Sequence, residues 1–394
     1  MVAFNFPILI ASIMRPVGET GVQTHMQSVK CYLERKGIAV ELVTPFDYPK
    51  TILYPLFGMR KIIHPLSHEA SVGWYRQGHS MVLKKILTKK LSEGQPCLVY
   101  AQCPLSARAA LQARVNSSQK IVLVVHFNES QADEWVGKGM LRHGSVLYRN
   151  IMRIEKEMLL SVDGVIFVSD YMRRLLINKI PALGSRSSVV IPNHLPDRPG
   201  DADIKYTPHS LISIGTLEPR KNQAYLLDIL DYASNRINNL SLTIIGDGPD
   251  RAQLEKKARS LGLSKQVRFL GHQNDAASMM PGHACYVHAA KMENLSIVLL
   301  EALRAGLPIF APPVGGNPEI LGNGVQPGYL WPLNSSEKAS SQLCGLLNDN
   351  TRLKQARGNA RQRFLETYEE SKVAPQLLDY FISVSLSESS YLPP

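Results

Sequence analysis

Short apolar runs rich in Val, Ile and Leu alternate with longer stretches of helical period through the first half of this chain, stop at a polar segment, and then start again. The runs fall at residues 7–14, 39–44, 97–101, 121–126, 164–169 and 188–192, and after the break at 210–214, 240–245, 267–270, 284–288 and 307–311. Strands apolar throughout are buried on both faces, and strands that alternate with helices join by crossovers, so each series specifies a parallel sheet covered by helices. The expected fold is therefore α/β, with two Rossmann-like domains. Residues 195–208, rich in Pro, Asp and Gly, read as the linker. It divides the chain into an N-terminal domain at 1–200, a C-terminal domain at 201–370, and a last helix and tail at 371–394. That helix is apolar-periodic over 371–384 and lies well past the last expected strand. Either domain is open to it as a packing partner, the N-terminal one included.

A chain of 394 residues with 44% hydrophobic and only 20% charged residues is long enough to bury two such cores. No apolar stretch reaches the roughly 20 residues that cross a bilayer. The first candidate, residues 4–14, is broken by Pro7 and runs into a loop with Gly18 and Gly21. The start also lacks the basic segment, longer apolar run and small-residue cleavage site of an export signal, so a cytoplasmic protein is expected. Cys31, Cys97, Cys103, Cys285 and Cys344 are odd in number and show neither Cys-x-x-Cys spacing nor a nearby His pair. They read as reduced structural thiols, and no metal site is expected.

The formal net charge of +11 is unevenly placed: residues 1–200 carry 25 Lys+Arg against 14 Asp+Glu, and residues 201–394 carry 19 against 19. A basic half suits an anionic membrane, nucleic acid or an acidic small molecule, and equally a merely soluble surface. No nucleic-acid recognition motif or aromatic-basic platform accompanies it, so no nucleic-acid partner is expected. Gly18 and Gly21 do not make the Gly-x-Gly-x-x-Gly of a dinucleotide oxidoreductase.

The chemistry concentrates in the second half. The stretch from Lys291 to Gly306 carries a loop into a helix, capped at Asn294 or Ser296, ended by Gly306 and followed by Pro308. The N–H groups of 294–297 then stand at a helix N-terminus, where unpaired donors and the helix dipole favour a phosphate. Glu293 precedes that end and Glu301 lies further along, and a carboxylate accepts two hydrogen bonds from a vicinal diol. Spacing alone also fits an ordinary amphipathic helix with two acids. Ile214-Gly-Thr-Leu-Glu-Pro-Arg-Lys-Asn222 adds a glycine, Gly215, at a strand end, with two cations, Arg220 and Lys221, placed for a diphosphate. Ligands of open parallel sheets bind beyond the carboxyl ends of the strands, where both loops belong. Ile245-Gly-Asp-Gly-Pro249 is a third such loop.

Gly215 to Asn222, Gly246 to Pro249, the Glu-x7-Glu pair Glu293/Glu301 and Val314-Gly-Gly-Asn-Pro-Glu319 occur in an order and spacing that resembles the retaining glycosyltransferases of family 4. Thr20-Gly-Val-Gln-Thr-His25, His126 at a strand end and Ile191-Pro-Asn193 extend the likeness across the N-terminal half. The resemblance implies the GT-B architecture, two Rossmann-like domains whose parallel sheets face across a cleft, with the acceptor on the N-terminal domain and the nucleotide-sugar on the C-terminal one. It implies that Arg220 and Lys221 bind the donor diphosphate, that Glu301 holds the ribose hydroxyls, and that Glu293 contacts the sugar beside the amides of Asn294, Leu295 and Ser296. His126 would touch the sugar and help stabilise developing oxocarbenium charge, and Gly21 would let the first loop approach the phosphate. Gly215 belongs to the same donor-binding set. Family members retain anomeric configuration without an obligatory metal or cofactor; fixed cations and a helix dipole then compensate the leaving pyrophosphate. Where many relatives have Glu-Gly-Phe-Gly, this chain has Glu293-Asn-Leu-Ser296, which reshapes the sugar pocket.

The expected activity is a metal-independent retaining hexosyl transfer from a UDP- or GDP-sugar to a lipid-linked or polysaccharide acceptor, as in cell-envelope or exopolysaccharide synthesis. Between Pro55 and Glu93, apolar residues mix with Arg60, Lys61, Lys84, Lys85, Lys89 and Lys90, and residues 80–91 form a basic amphipathic helix. Such a helix lies on an anionic membrane or packs its apolar face on the sheet with its lysines in water. A sugar-nucleotide epimerase or phosphorylase of the same fold, and a catalytically silent scaffold, remain as alternatives.

Overall fold

The computed structural model describes residues 6–18, 20–322 and 326–387. Phe4, at the head of the first apolar run, and residues 388–394 of the expected tail lie outside them. The chain forms two compact units, Met1–Pro192 with Val373–Pro394, and Asn193–Lys372.

In the N-terminal unit the chain runs β1 (Ile8–Ala11), α1 (Gly21–Arg35), β2 (Val40–Val43), α2 (Lys50–Ile63), α3 (His68–Leu91), β3 (Cys97–Ala101), α4 (Pro104–Ala113), β4 (Gln119–Val125), α5 (Gln131–Gly137), α6 (Val146–Ser161), β5 (Gly164–Phe167), α7 (Asp170–Lys179) and β6 (Ser188–Val190). The six strands pair in parallel in the order β2-β1-β3-β4-β5-β6. β1, β3, β4 and β5 are buried along their whole length, because helices cover both faces. Thr20 starts α1 through a reciprocal capping box with Gln23.

The C-terminal unit repeats the plan. It contains β7 (Ser210–Ile214), α8 (Gln223–Ser234), β8 (Ser241–Ile245), α9 (Arg251–Ser260), β9 (Val267–Gly271), β10 (Cys285–Val287), α10 (Ile297–Arg304), β11 (Ile309–Ala311), α11 (Asn317–Leu321), β12 (Gly328–Leu330), α12 (Ser336–Leu347) and α13 (Asn350–Thr367). Its parallel sheet has the order β12-β11-β10-β7-β8-β9. The expectation that the strands end at 307–311 is corrected: β12 adds an edge strand beside β11, pairing Phe310 with Tyr329. The polar segment at 195–208 is held against this unit. Leu195 forms a parallel bridge with Glu369, and Arg361 reaches Asp197 with both terminal nitrogens, at 2.6 and 2.7 Å.

α14 (Glu370–Leu386) follows. Val373, Leu377, Phe381 and Val384 recur at helical spacing and are at most 2% exposed. Phe381 meets Tyr100 edge-on at 5.0 Å, and the Tyr380 hydroxyl accepts from the Val165 N–H at 3.1 Å. The helix thus covers β3 and β5 of the N-terminal unit.

Residues 80–91 belong to the longer α3, whose Val82, Leu83, Leu87 and Leu91 are buried while Lys84, Lys85, Lys89 and Lys90 are exposed. Of the two readings of that stretch, the structure adopts the packed one. The exposed apolar surface lies instead on and after α2, at Ile52, Tyr54, Met59, Ile62 and Leu66.

Candidate functional site

In the C-terminal unit the strand order reverses between β7 and β10, so the loops after these two strands flank the topological switch point where open α/β sheets take ligands. Arg220 and Lys221 lie on the first loop, Glu293 on the second. The loops are tied together: the Lys291 N–H donates to the Arg220 carbonyl at 2.9 Å and the Asn222 amide to the Ala289 carbonyl at 3.2 Å. Two glycines permit neighbouring loops to close on them. A Cβ at Gly246 would come within 2.0 Å of the Gly215 carbonyl oxygen, and one at Gly315 within 1.7 Å of that of Glu293. Both have positive φ, 132° and 56°, which side chains resist.

Each cation meets a carboxylate. Arg220 donates to Glu218 at 2.6 and 3.1 Å and to the Met292 carbonyl at 3.4 Å. Lys221 donates to Glu293, and His288 lies 3.1 Å from the same carboxylate oxygen. Burial alone would raise the Glu293 carboxyl, but Lys221, with His288 and Arg220 behind it, holds it well below the usual range. Burial also lowers His288, with Glu293 opposing. A neutral imidazole donating Nε2–H to an ionised carboxylate satisfies both groups, since the carboxylate can only accept.

α10 begins at Ile297 with Ser296 at the N-cap, whose side chain makes no cap bond. The first-turn N–H groups of a helix find no i−4 carbonyl within it, and those of α10 begin directly after Asn294, Leu295 and Ser296. The loop is braced by the Asn193 amide, which donates to the Leu295 carbonyl at 3.1 Å, and by the Gly316 N–H, which donates to Asn294 at 2.7 Å. Glu301 lies one turn inside α10, its carboxyl pushed up to about 7 by burial, with Arg304 opposing.

In the N-terminal unit, His126 stands just past the end of β4. Its ring meets that of His25 edge-on at 4.6 Å, and its Nε2 lies 3.3 Å from the Gln102 side-chain oxygen. Burial pushes His126 down to about 3, so the ring is neutral. His25 is itself held by the Tyr100 hydroxyl at 2.9 Å. Gly21 is the first residue of α1, and Gly215 follows β7 directly.

The structure thus gathers Gly215, Arg220, Lys221, Glu293, Asn294, Leu295, Ser296 and Glu301 in the C-terminal unit and places Gly21 and His126 in the N-terminal one. Reasoning from the sequence missed Glu218 and His288, which partner Arg220 and Glu293. Glu218 lies inside the motif that flagged Arg220, and His288 directly follows β10, five residues before Glu293, the position from which a side chain reaches a strand-end site. Among the described residues, no group of three or more His, Cys, Asp or Glu is arranged to hold a metal ion.

Two doubly wound parallel sheets of this kind are the framework of a GT-B glycosyltransferase. The profile of Glycosyl transferases group 1 matches residues 199–363 and that of Glycosyltransferase Family 4 matches residues 20–196. The chain is 30% identical over 381 residues to the phosphatidyl-myo-inositol mannosyltransferase of Mycobacterium leprae, covering 94% of each. Its fold is similar to sucrose-phosphate synthase of Thermosynechococcus elongatus (TM-score 0.72, 16% identity, 96% of this chain and 99% of the other). It is also similar to Anabaena HepE in complex with UDP and glucose (TM-score 0.68, 19% identity, 96% and 99%). The chain belongs to the family 4, group 1 glycosyltransferases.

Proposed function

We propose that this glycosyltransferase moves a hexosyl group, with retention of configuration and without a metal ion, from a UDP- or GDP-sugar to a lipid-linked acceptor. The observation that carries the reading is the meeting of Arg220, Lys221 and the α10 N-terminus at the switch point of one sheet. The pyrophosphate takes over the cations now shared with Glu218 and Glu293 and lies against the first-turn amides of α10. Glu301 accepts from the ribose hydroxyls, and Glu293, oriented by Lys221 and His288, accepts from the sugar. As the glycosidic bond breaks, charge grows on the leaving phosphate, and two fixed cations and a helix dipole are already aimed at it. Neutral His126 hydrogen-bonds the sugar, and Gly21 admits the phosphate to the first loop.

The lipid-linked acceptor rests on the named acceptor of the mycobacterial relative and on α2, where exposed Ile52, Tyr54 and Ile62 sit with Arg60 and Lys61. Such a surface suits the anionic cytoplasmic face of a membrane. No helix of the described residues is long and apolar enough to cross one.

The test is thermal stabilisation by UDP-, GDP- and ADP-sugars with EDTA present, on the wild type and on Arg220→Ala/Lys221→Ala. One donor stabilising the wild type alone is expected; stabilisation of both proteins alike, or of neither, overturns the donor site. Product analysis with that donor then reads the anomeric configuration.

A further inference from the structure

The N-terminal unit holds a pocket with no part in the reading above. Its volume is about 340 Å³, at the small end of the roughly 300–1,000 Å³ of ligand sites. Phe127 from the loop after β4, Met152 and Leu159 from α6, and Leu176 and Ile180 at the end of α7 form its apolar wall. Beside that wall stand three exposed cations, Arg153, Lys156 and Lys179.

The acids at the pocket leave these cations under-compensated. Glu155 is buried and turned inward, accepting from the Gln131 N–H at 2.8 Å, and burial pushes its carboxyl up to about 7. Glu129 alone reaches a cation, Lys179, at 3.5 Å. It does so from a left-handed backbone, φ 52°, which a non-glycine residue holds against strain. Arg153 lies 3.0 Å from Asn150 and 3.7 Å from Glu157 on its own helix. Lys156 has no ion pair among the described residues.

An apolar wall bordered by cations complements a molecule built of one apolar chain and a terminal anion. We propose that this pocket binds a single-chain anionic amphiphile, the chain lying between α6 and α7 and the head on Lys156 and Lys179 in place of Glu129. Only one chain fits the volume, which sets this ligand apart from a two-chain bilayer lipid. The proposal is independent of the donor site.

Dodecyl phosphate, kept below its micelle concentration, is titrated into the full chain by calorimetry. One equivalent is expected to bind. Inorganic phosphate, a head without a chain, and dodecyl maltoside, a chain without charge, are each expected to bind about tenfold more weakly or worse. Lys156→Glu/Lys179→Glu weakens dodecyl phosphate by about tenfold or more, and Met152→Trp, which fills the pocket from its wall, abolishes binding. The two lysines are exposed, so their variant keeps the fold and decides the matter if Met152→Trp does not fold. Equal binding of the uncharged detergent, no binding of dodecyl phosphate, or an affinity unchanged by the lysine reversals overturns the proposal.

Discussion

Lys221 and Glu293 form an ion pair that bridges the loops after β7 and β10, with side chains 16% and 8% exposed. Removing only the cation strands a buried carboxylate. Lys221→Met is expected to cost about 3 kcal/mol or more in chemical denaturation, and Lys221→Met/Glu293→Leu to recover most of it. The folded pKa of Glu293 is depressed, so its contribution is complete above the unfolded value of about 4.3 and is lost only as pH falls through the lower folded value. The wild type's stability from this pair should therefore be flat between pH 5 and about 8, whereas Lys221→Met, whose Glu293 keeps the burial without its cation, should lose stability as pH rises.

Glu301 has the opposite sign. Its carboxyl, at about 7 in the folded chain against about 4.3 unfolded, holds its proton more tightly when folded. The chain therefore loses stability as pH rises through this window. Glu301→Gln is expected to be the more stable protein at pH about 8, by on the order of 2 kcal/mol, and to match the wild type near pH 4. Only the carboxylate accepts from both ribose hydroxyls, so wild-type affinity for the nucleotide should rise through pH about 7 while that of Glu301→Gln stays flat. Calorimetry across pH reads both.

His126, pushed down to about 3, is neutral wherever the enzyme works. Its folded value lies below the unfolded value of about 6.5, so its contribution to stability is full above that pH and is lost as pH falls toward 3. Its ring nitrogens should show no titration between pH 5 and about 8 by NMR. His126→Ala should lower kcat by about 100-fold with little change in the donor KM, the pattern of a contact made in the transition state.

At Gly315, an added methyl group meets both a positive φ and the Glu293 carbonyl. Gly315→Ala is expected to cost about 1–3 kcal/mol through backbone strain alone and to move the Glu293 loop. Donor-induced thermal stabilisation should vanish even where the variant remains folded.

Both sheets were legible because their strands are apolar throughout and broken by helices, a pattern no solvent-facing sheet shows. The strand-end loops were legible because apolar runs stop at Gly215 and at residues 284–288, and the charges of Arg220, Lys221 and Glu293 follow directly beyond those ends. β12 was not, since Gly328–Leu330 is a three-residue edge strand with no alternation to detect. The reach of α3 was hidden by Gly73 and Gly78, which signal a break in a helix; at Gly78 an added Cβ would touch Leu56 of α2 at 3.7 Å, so packing overrides propensity. Pro55 obscured α2 in the same way. Glu218 and His288 escaped because their roles are to partner other site residues, Arg220 and Glu293, through loop geometry that residue type and spacing do not display.

α14 also fixes an order of events during synthesis. β3 and β5 lie under Tyr380 and Phe381, which the ribosome adds only after all of Asn193–Lys372 has been made. The segment made first therefore waits with part of its sheet uncovered until the segment made last arrives, while the C-terminal unit, continuous in sequence, can close its core as it emerges. A cell making this enzyme has to shield that uncovered face for the time needed to translate about half the chain.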